Sequence, residues 1–144
     1  MKIDDVRPGL ELGPSRWFEV TQQRIDAFAE VTEDSQWIHV DPKLAAQGPF
    51  GTTVAHGLLT LGLVIPITYE LLPVGDARLA VNYGLNRVRF PAPVPAGSRV
   101  RGRLRIDEVT DVDGAVQVVA AATVERDGSE KPVVVAELVF RLYR

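Results

Sequence analysis

The chain has 144 residues, which suggests one domain over residues 1–144 with enough length for a real core. With 46% hydrophobic and 24% charged residues, a net charge of −3 and a pI near 5.4, it has the composition of an ordinary soluble globule; bulk binding to nucleic acid or to an anionic membrane is not expected. Cysteine is absent, which excludes disulfides, a thiol nucleophile and a thiolate metal site and fits a reducing, cytoplasmic setting.

The N-terminal stretch "MKIDDVRPG" has no apolar core of the kind a secretory signal carries. "SRWFEV" (Ser15–Val20) reads as a short strand. Thr21 reads as an N-cap, and Ile25, Phe28, Ala29 and Thr32 fall on one helical face, so a helix should run to about Glu33. Asp41-Pro42 opens a second short helix, with Asp41 as N-cap and Pro42 in the first turn, and Gly48-Pro49 closes it. From Gly57 to about Leu72 the chain is apolar on nearly every side, which predicts one long helix buried all round. Pro66 should bend it against the carbonyl of Gly62. The most apolar run, Leu58–Ile67, is too short to span a bilayer.

From Ala77 onward the period changes to two. Leu79, Val81, Tyr83 and Leu85 share one face, Val88 and Phe90 are out of phase with them, and a β-bulge near Asn86 would restore the register. Val100, Leu104 and Ile106 alternate with Arg99, Arg101, Arg103 and Arg105. "DVDG" (Asp111–Gly114) and "RDGSEKP" (Arg126–Pro132) are hairpin signals. The last strand should bury Val134, Ala136, Leu138, Phe140 and Leu142. A long antiparallel meander after one buried helix is α+β, and the economical packing curls the sheet around the helix.

Asp34 and His39 stand five residues apart in "DSQWIHVD". On a continuous helix they would point roughly 140° away from each other, so a loop between Glu33 and Asp41 must fold them together if they cooperate. A turn-ending aspartate and a histidine bonded to backbone would give the same two letters. The wider context favours chemistry. His39 and His56 are the chain's two histidines, and His56 precedes Gly57 where the buried helix begins. The first N–H of a helix, at its positive dipole end, is a natural holder of an oxyanion.

The stretch "DSQWIHVDPKLAAQGPFGTTVAHGLLTLGLV" resembles the MaoC-like, or hydratase 2, family of hot-dog proteins, whose motif is approximately Gly-Asp-x-Asn-Pro-aliphatic-His with a later small residue. The chain supplies Asp34, Ile38 and His39, then Ala45 and Ala46; "AHG" (Ala55–Gly57) and "VRFPAPVPAGSRVRG" (Val88–Gly102) are similar to further family blocks. Glu33 stands for the family glycine, where a positive φ would cost roughly 1 kcal/mol, and as a second carboxylate it could disfavour ionisation of Asp34. Gln36 and Trp37 stand for Asn and Pro, a pairing similar to the nodulation-protein-N-like branch.

The resemblance implies a hot-dog fold, a homodimer, and reversible hydration of a trans-2-enoyl-CoA to an (R)-3-hydroxyacyl-CoA, with no metal or cofactor. Asp34 and His39 would share one water, and the Gly57 N–H would hold the enolate oxygen. Binding residues would be Gln36, His56, Phe50 and Gly51 at a slot mouth, Leu58 in its wall, and Arg87 and Arg89 toward coenzyme A. The arginine stripe 99/101/103/105 reads as a solvated face with acidic neighbours, or as a phosphate contact. The rivals are dehydration on acyl-carrier protein, a hot-dog thioesterase, and a non-catalytic acyl-thioester-binding subunit.

Overall fold

The computed structural model describes residues 1–144. Six strands form one antiparallel sheet: β1 (Glu11–Leu12), β2 (Phe18–Val20), β3 (Leu79–Arg89), β4 (Ser98–Val112), β5 (Ala115–Arg126) and β6 (Val134–Tyr143). Their spatial order is β1-β4-β5-β6-β3, with β2 also paired to β4. The helices are α1 (Gln22–Thr32), α2 (Trp37–Val40), α3 (Pro42–Ala45), α4 (Gly57–Gly62) and α5 (Val64–Leu71). The arrangement is the expected α+β hot-dog: a sheet packed around a central helical segment.

The side-chain caps lie where their chemistry puts them. The Thr21 hydroxyl accepts from the Arg24 N–H at the start of α1, and the Asp41 carboxylate accepts from the Leu44 N–H at the start of α3. The meander runs through β4, β5 and β6, with one register shift in β4 between Ile106 and Glu108. On β6, Val134, Ala136, Leu138, Phe140 and Leu142 are all buried, as the alternation predicts. β4 buries Val100, Leu104 and Ile106 on one face and turns Arg99, Arg103 and Arg105 outward.

Three expectations need correction. The central segment is not one helix buried all round. It breaks into α4 and α5 at Leu63, whose N–H is shared between the Leu59 and Thr60 carbonyls in a tightened turn. Pro66, lacking an N–H, cannot bond the Gly62 carbonyl, so the ladder is weakest there. One side of the segment faces outward, with Leu58 63% and Tyr69 61% exposed. Second, β3 does not pair with β4; it pairs with β6 and forms an edge of the sheet. Leu79, Val81, Tyr83 and Leu85 are between 38% and 60% exposed, but they do not share one face: the shift at Tyr83 leaves Val81 opposite Arg141 and sets Leu85 opposite the buried Leu138. Third, the initial strand is shorter than Ser15–Val20 and begins at Phe18. The bulge near Asn86 is present as a register shift between Leu85 and Arg87, and a second shift between Asn82 and Gly84 accompanies it.

Gly102 fixes how closely the central segment approaches the sheet. A Cβ on Gly102 would lie 2.6 Å from Cγ2 of Ile67, so only glycine admits α5 to this depth. Val64 and Ile67 of α5, with Leu59 of α4, join one core cluster with Val100, Ile106, Val118 and Phe140 of the sheet.

Candidate active site

The Asp34–His39 pair is assembled by a chain reversal followed by a one-turn helix. α1 ends at Glu33, whose backbone is left-handed at φ 62° and ψ 22°; it is the one non-glycine residue with positive φ. The glycine preference of this position thus has a physical cause, and the chain meets it with Glu. His39 lies in α2 and not in a loop, so the expectation of an unstructured connection to Asp41 is corrected. The break between α1 and α2 removes the 140° conflict that a continuous helix would impose.

His39 is 7% exposed. Its Nδ1–H donates to the Val54 carbonyl at 2.6 Å, since a carbonyl can only accept. In the neutral ring Nε2 then carries the lone pair. The same strip of backbone is fixed from both sides. Val54 N–H donates to the Ile38 carbonyl at 3.0 Å, and Ala55 N–H donates to the Val94 carbonyl at 2.8 Å. Gln22 donates from Nε2 to the His39 carbonyl at 2.8 Å and accepts from the Thr53 hydroxyl. One nitrogen of His39 is thus bonded to backbone, and the other has no hydrogen-bond partner in the chain.

His56 is 3% exposed and stacks on His39, with ring centroids 3.8 Å apart and planes tilted by 22°. Its Nε2–H donates to the Asp34 carbonyl at 2.9 Å, while Nδ1 is buried without a partner. A carboxylate oxygen of Asp34 and ring nitrogens of both histidines lie within 4.8 Å of one another. These three donors could be counted as a metal site, but the geometry opposes it. An ion about 2.1 Å from both nitrogens would have to lie in both ring planes, and stacked planes tilted by 22° meet far beyond that reach.

Gly57 is the first residue of α4, so its N–H has no acceptor inside the helix. A Cβ here would lie 2.7 Å from the Phe90 ring. Gly57 and Phe90 line a cavity of about 390 Å³ with Ile38, Phe50, Val54 and Thr60. Phe50 is part of this wall. Gly51 is exposed at φ 70° in the bend beyond it and is not in that wall. Leu58 is not in it either: it lines a separate apolar groove of about 310 Å³ against Tyr83, Leu85 and Leu138. Gly57 and Leu58 thus line two separate spaces on different faces of α4. Gln36 is exposed and starts α2 without a side-chain capping bond.

The arginine stripe is largely neutralised. Arg99 pairs with Asp127, Arg101 with Glu125, and Arg105 with Asp107, and Trp17 lies against the Arg99 and Arg101 guanidiniums. Arg87 and Arg89 are exposed and belong to none of the molecule's ion pairs. Sequence reasoning missed Gln22, Thr53, Val54 and Phe90. Val54 acts through a main-chain carbonyl, which no residue type announces.

A family described as "MaoC like domain" matches residues 5–128. The chain is 51% identical over 134 residues to 3-hydroxyacyl-thioester dehydratase Z of Mycobacterium tuberculosis, covering 92% of this chain and 89% of that protein. It is 44% identical over 137 residues to nodulation protein N of Rhizobium leguminosarum bv. viciae, covering 92% and 84%. Its fold superposes on an (R)-hydratase from A. caviae involved in PHA biosynthesis with a TM-score of 0.79 at 21% identity, covering 95% and 97% of the two chains.

Proposed function

Since the chain belongs to the family of MaoC-like domains, we propose that it catalyses the reversible addition of water to trans-2-enoyl-CoA, giving (R)-3-hydroxyacyl-CoA. The observation that carries this reading is the state of His39. With Nδ1–H held by the Val54 carbonyl, Nε2 is free to take a proton, and the Asp34 carboxylate stands within 4.8 Å of the ring nitrogens. Such a pair can hold one water between two groups able to take and give protons. The water oxygen bonds to C3, its proton passes to the pair, and a proton from the pair reaches C2. In between, charge collects on the thioester oxygen, where the Gly57 N–H is the proposed donor. The apolar cavity beside Gly57 receives the substrate, with Phe50 at its mouth.

Dehydration of 3-hydroxyacyl thioesters is the same chemistry reversed. The name of the 51% identical mycobacterial relative favours that direction. Coenzyme A is the preferred carrier, because a carrier protein needs a basic docking patch and most of the arginine stripe is already paired. Arg87 and Arg89, free of ion pairs on β3, are the proposed phosphate contacts. We infer further that two copies associate along β3, whose exposed apolar residues lie on an unpaired edge.

The test is loss of enoyl absorbance with a panel of trans-2-enoyl-CoA chain lengths, followed by chiral analysis of the product. Turnover to the (R) product without release of free thiol is the expected result. Release of free thiol would replace the reading with a thioesterase, and binding without turnover would replace it with an acyl-binding module.

A further inference from the structure

We propose that His56 is the positioning residue of the site: its ring holds Asp34 by the main chain and His39 by the ring face. The proposal rests on the hydration reading above. His56 lies between Phe28, whose ring centroid is 4.8 Å away at 55°, and His39, at 3.8 Å and 22°. The first contact comes from α1 and the second from α2, so the ring is the filling between the two helices that flank Asp34. The bond from Nε2 to the Asp34 carbonyl crosses 22 residues of sequence. It falls one residue after the left-handed turn at Glu33. That turn aims the chain, and the bond fixes where the next residue stands. His56 is also the residue immediately before Gly57, at the N-cap of α4. Asp34, His39 and the Gly57 N–H are thus tied to a single side chain and its own backbone.

A space-filling role alone does not account for the residue type. An apolar ring would pack between Phe28 and His39 without leaving a buried nitrogen unpaired, and His56 Nδ1 is left so. Nor is His56 placed to exchange protons with substrate. Nε2 is committed to Asp34, and Nδ1 is sealed from solvent. What remains is a flat ring with one directed N–H, and both features are used.

The two functions separate by substitution. His56→Gln keeps an N–H donor and loses the ring; His56→Phe keeps the ring and loses the donor. Each should lower kcat by about 10- to 100-fold through misplacement of the pair and leave KM within about twofold. The couplings are specific. His56→Gln in a His39→Gln background, and His56→Phe in an Asp34→Asn background, should each cost less than about twofold more in kcat. Losses that multiply in full in both backgrounds, or wild-type kcat in both folded single variants, overturn the proposal. A measurement on the unsubstituted protein needs neither folding of a variant nor turnover. The ring-nitrogen NMR signals should place the neutral His56 proton on Nε2 and the neutral His39 proton on Nδ1; the opposite tautomer at His56 overturns the proposal. Absence of enoyl-thioester turnover in the unsubstituted protein would remove the hydration reading instead, and the tautomer measurement would then decide the positioning role alone.

Discussion

Asp34→Asn and His39→Gln should each reduce hydration by about 10²- to 10⁴-fold if the two groups handle one water, and the double variant should be little slower than the worse single one. Initial rates by enoyl absorbance measure all three; independent, multiplying losses would show that the groups do not act as a unit. The Gly57 N–H needs a subtler experiment than a single proline, because any Cβ at this position meets the Phe90 ring at 2.7 Å. The comparison is therefore Gly57→Ala against Gly57→Pro, both in a Phe90→Ala background. The two differ mainly in the N–H, and its loss should lower kcat by ~10²-fold or more. Equal turnover of the two variants would remove Gly57 from the proposed mechanism. At this scale the sequence pointed to the residues proposed to carry the chemistry, Asp34, His39 and Gly57. It concealed Val54, because every residue has a carbonyl and only the fold says which one faces an imidazole. It also concealed the closeness of Phe90 to Gly57, since the two meet only after the chain has closed.

Where elements begin was readable when a side chain marks the spot. Thr21 and Asp41 are caps, and both bond as caps. Where elements end or break was less so. α4 and α5 part at a leucine, for reasons of main-chain bonding three residues before the proline. The end of α1 offers a test of strain. Glu33 in the left-handed region costs roughly 1 kcal/mol relative to glycine, part of which glycine's greater freedom in the unfolded chain takes back. Glu33→Gly should raise Tm by about 1–3 °C; a fall in a thermal melt would mean that the Glu33 side chain supports the fold. The contact of α5 with β4 offers a test of packing. Gly102→Ala should destabilise by about 1–3 kcal/mol through overpacking against Ile67. Urea unfolding should show partial recovery when Ile67→Val makes room, and an unchanged midpoint in Gly102→Ala would contradict the close approach.

On the scale of the molecule, the fold class followed from the change of period from helix to strand, but the pairing of β3 did not. A strand's alternation says which residues share a face and is silent on which strand lies beside it. Because that strand is an edge with exposed apolar residues, the protein should be a dimer by light scattering at micromolar concentration. Tyr83→Lys together with Leu85→Lys should shift it toward monomer. A monomeric wild-type protein at that concentration would remove the pairing proposal. The topology also bears on synthesis. β3 has a single neighbour in the sheet, β6, and the pairing joins Leu79 to Tyr143 across most of the second half of the chain. A nascent chain therefore carries β3 with both edges bare while β4 and β5 emerge and pair with each other. The sheet closes only after β6 has left the ribosome. Long-range pairings of this kind form slowly and leave apolar strands open to wrong partners in the meantime. Translation speed through Ser98–Tyr143, and chaperone supply during that interval, should thus alter the soluble yield of this protein when it is expressed.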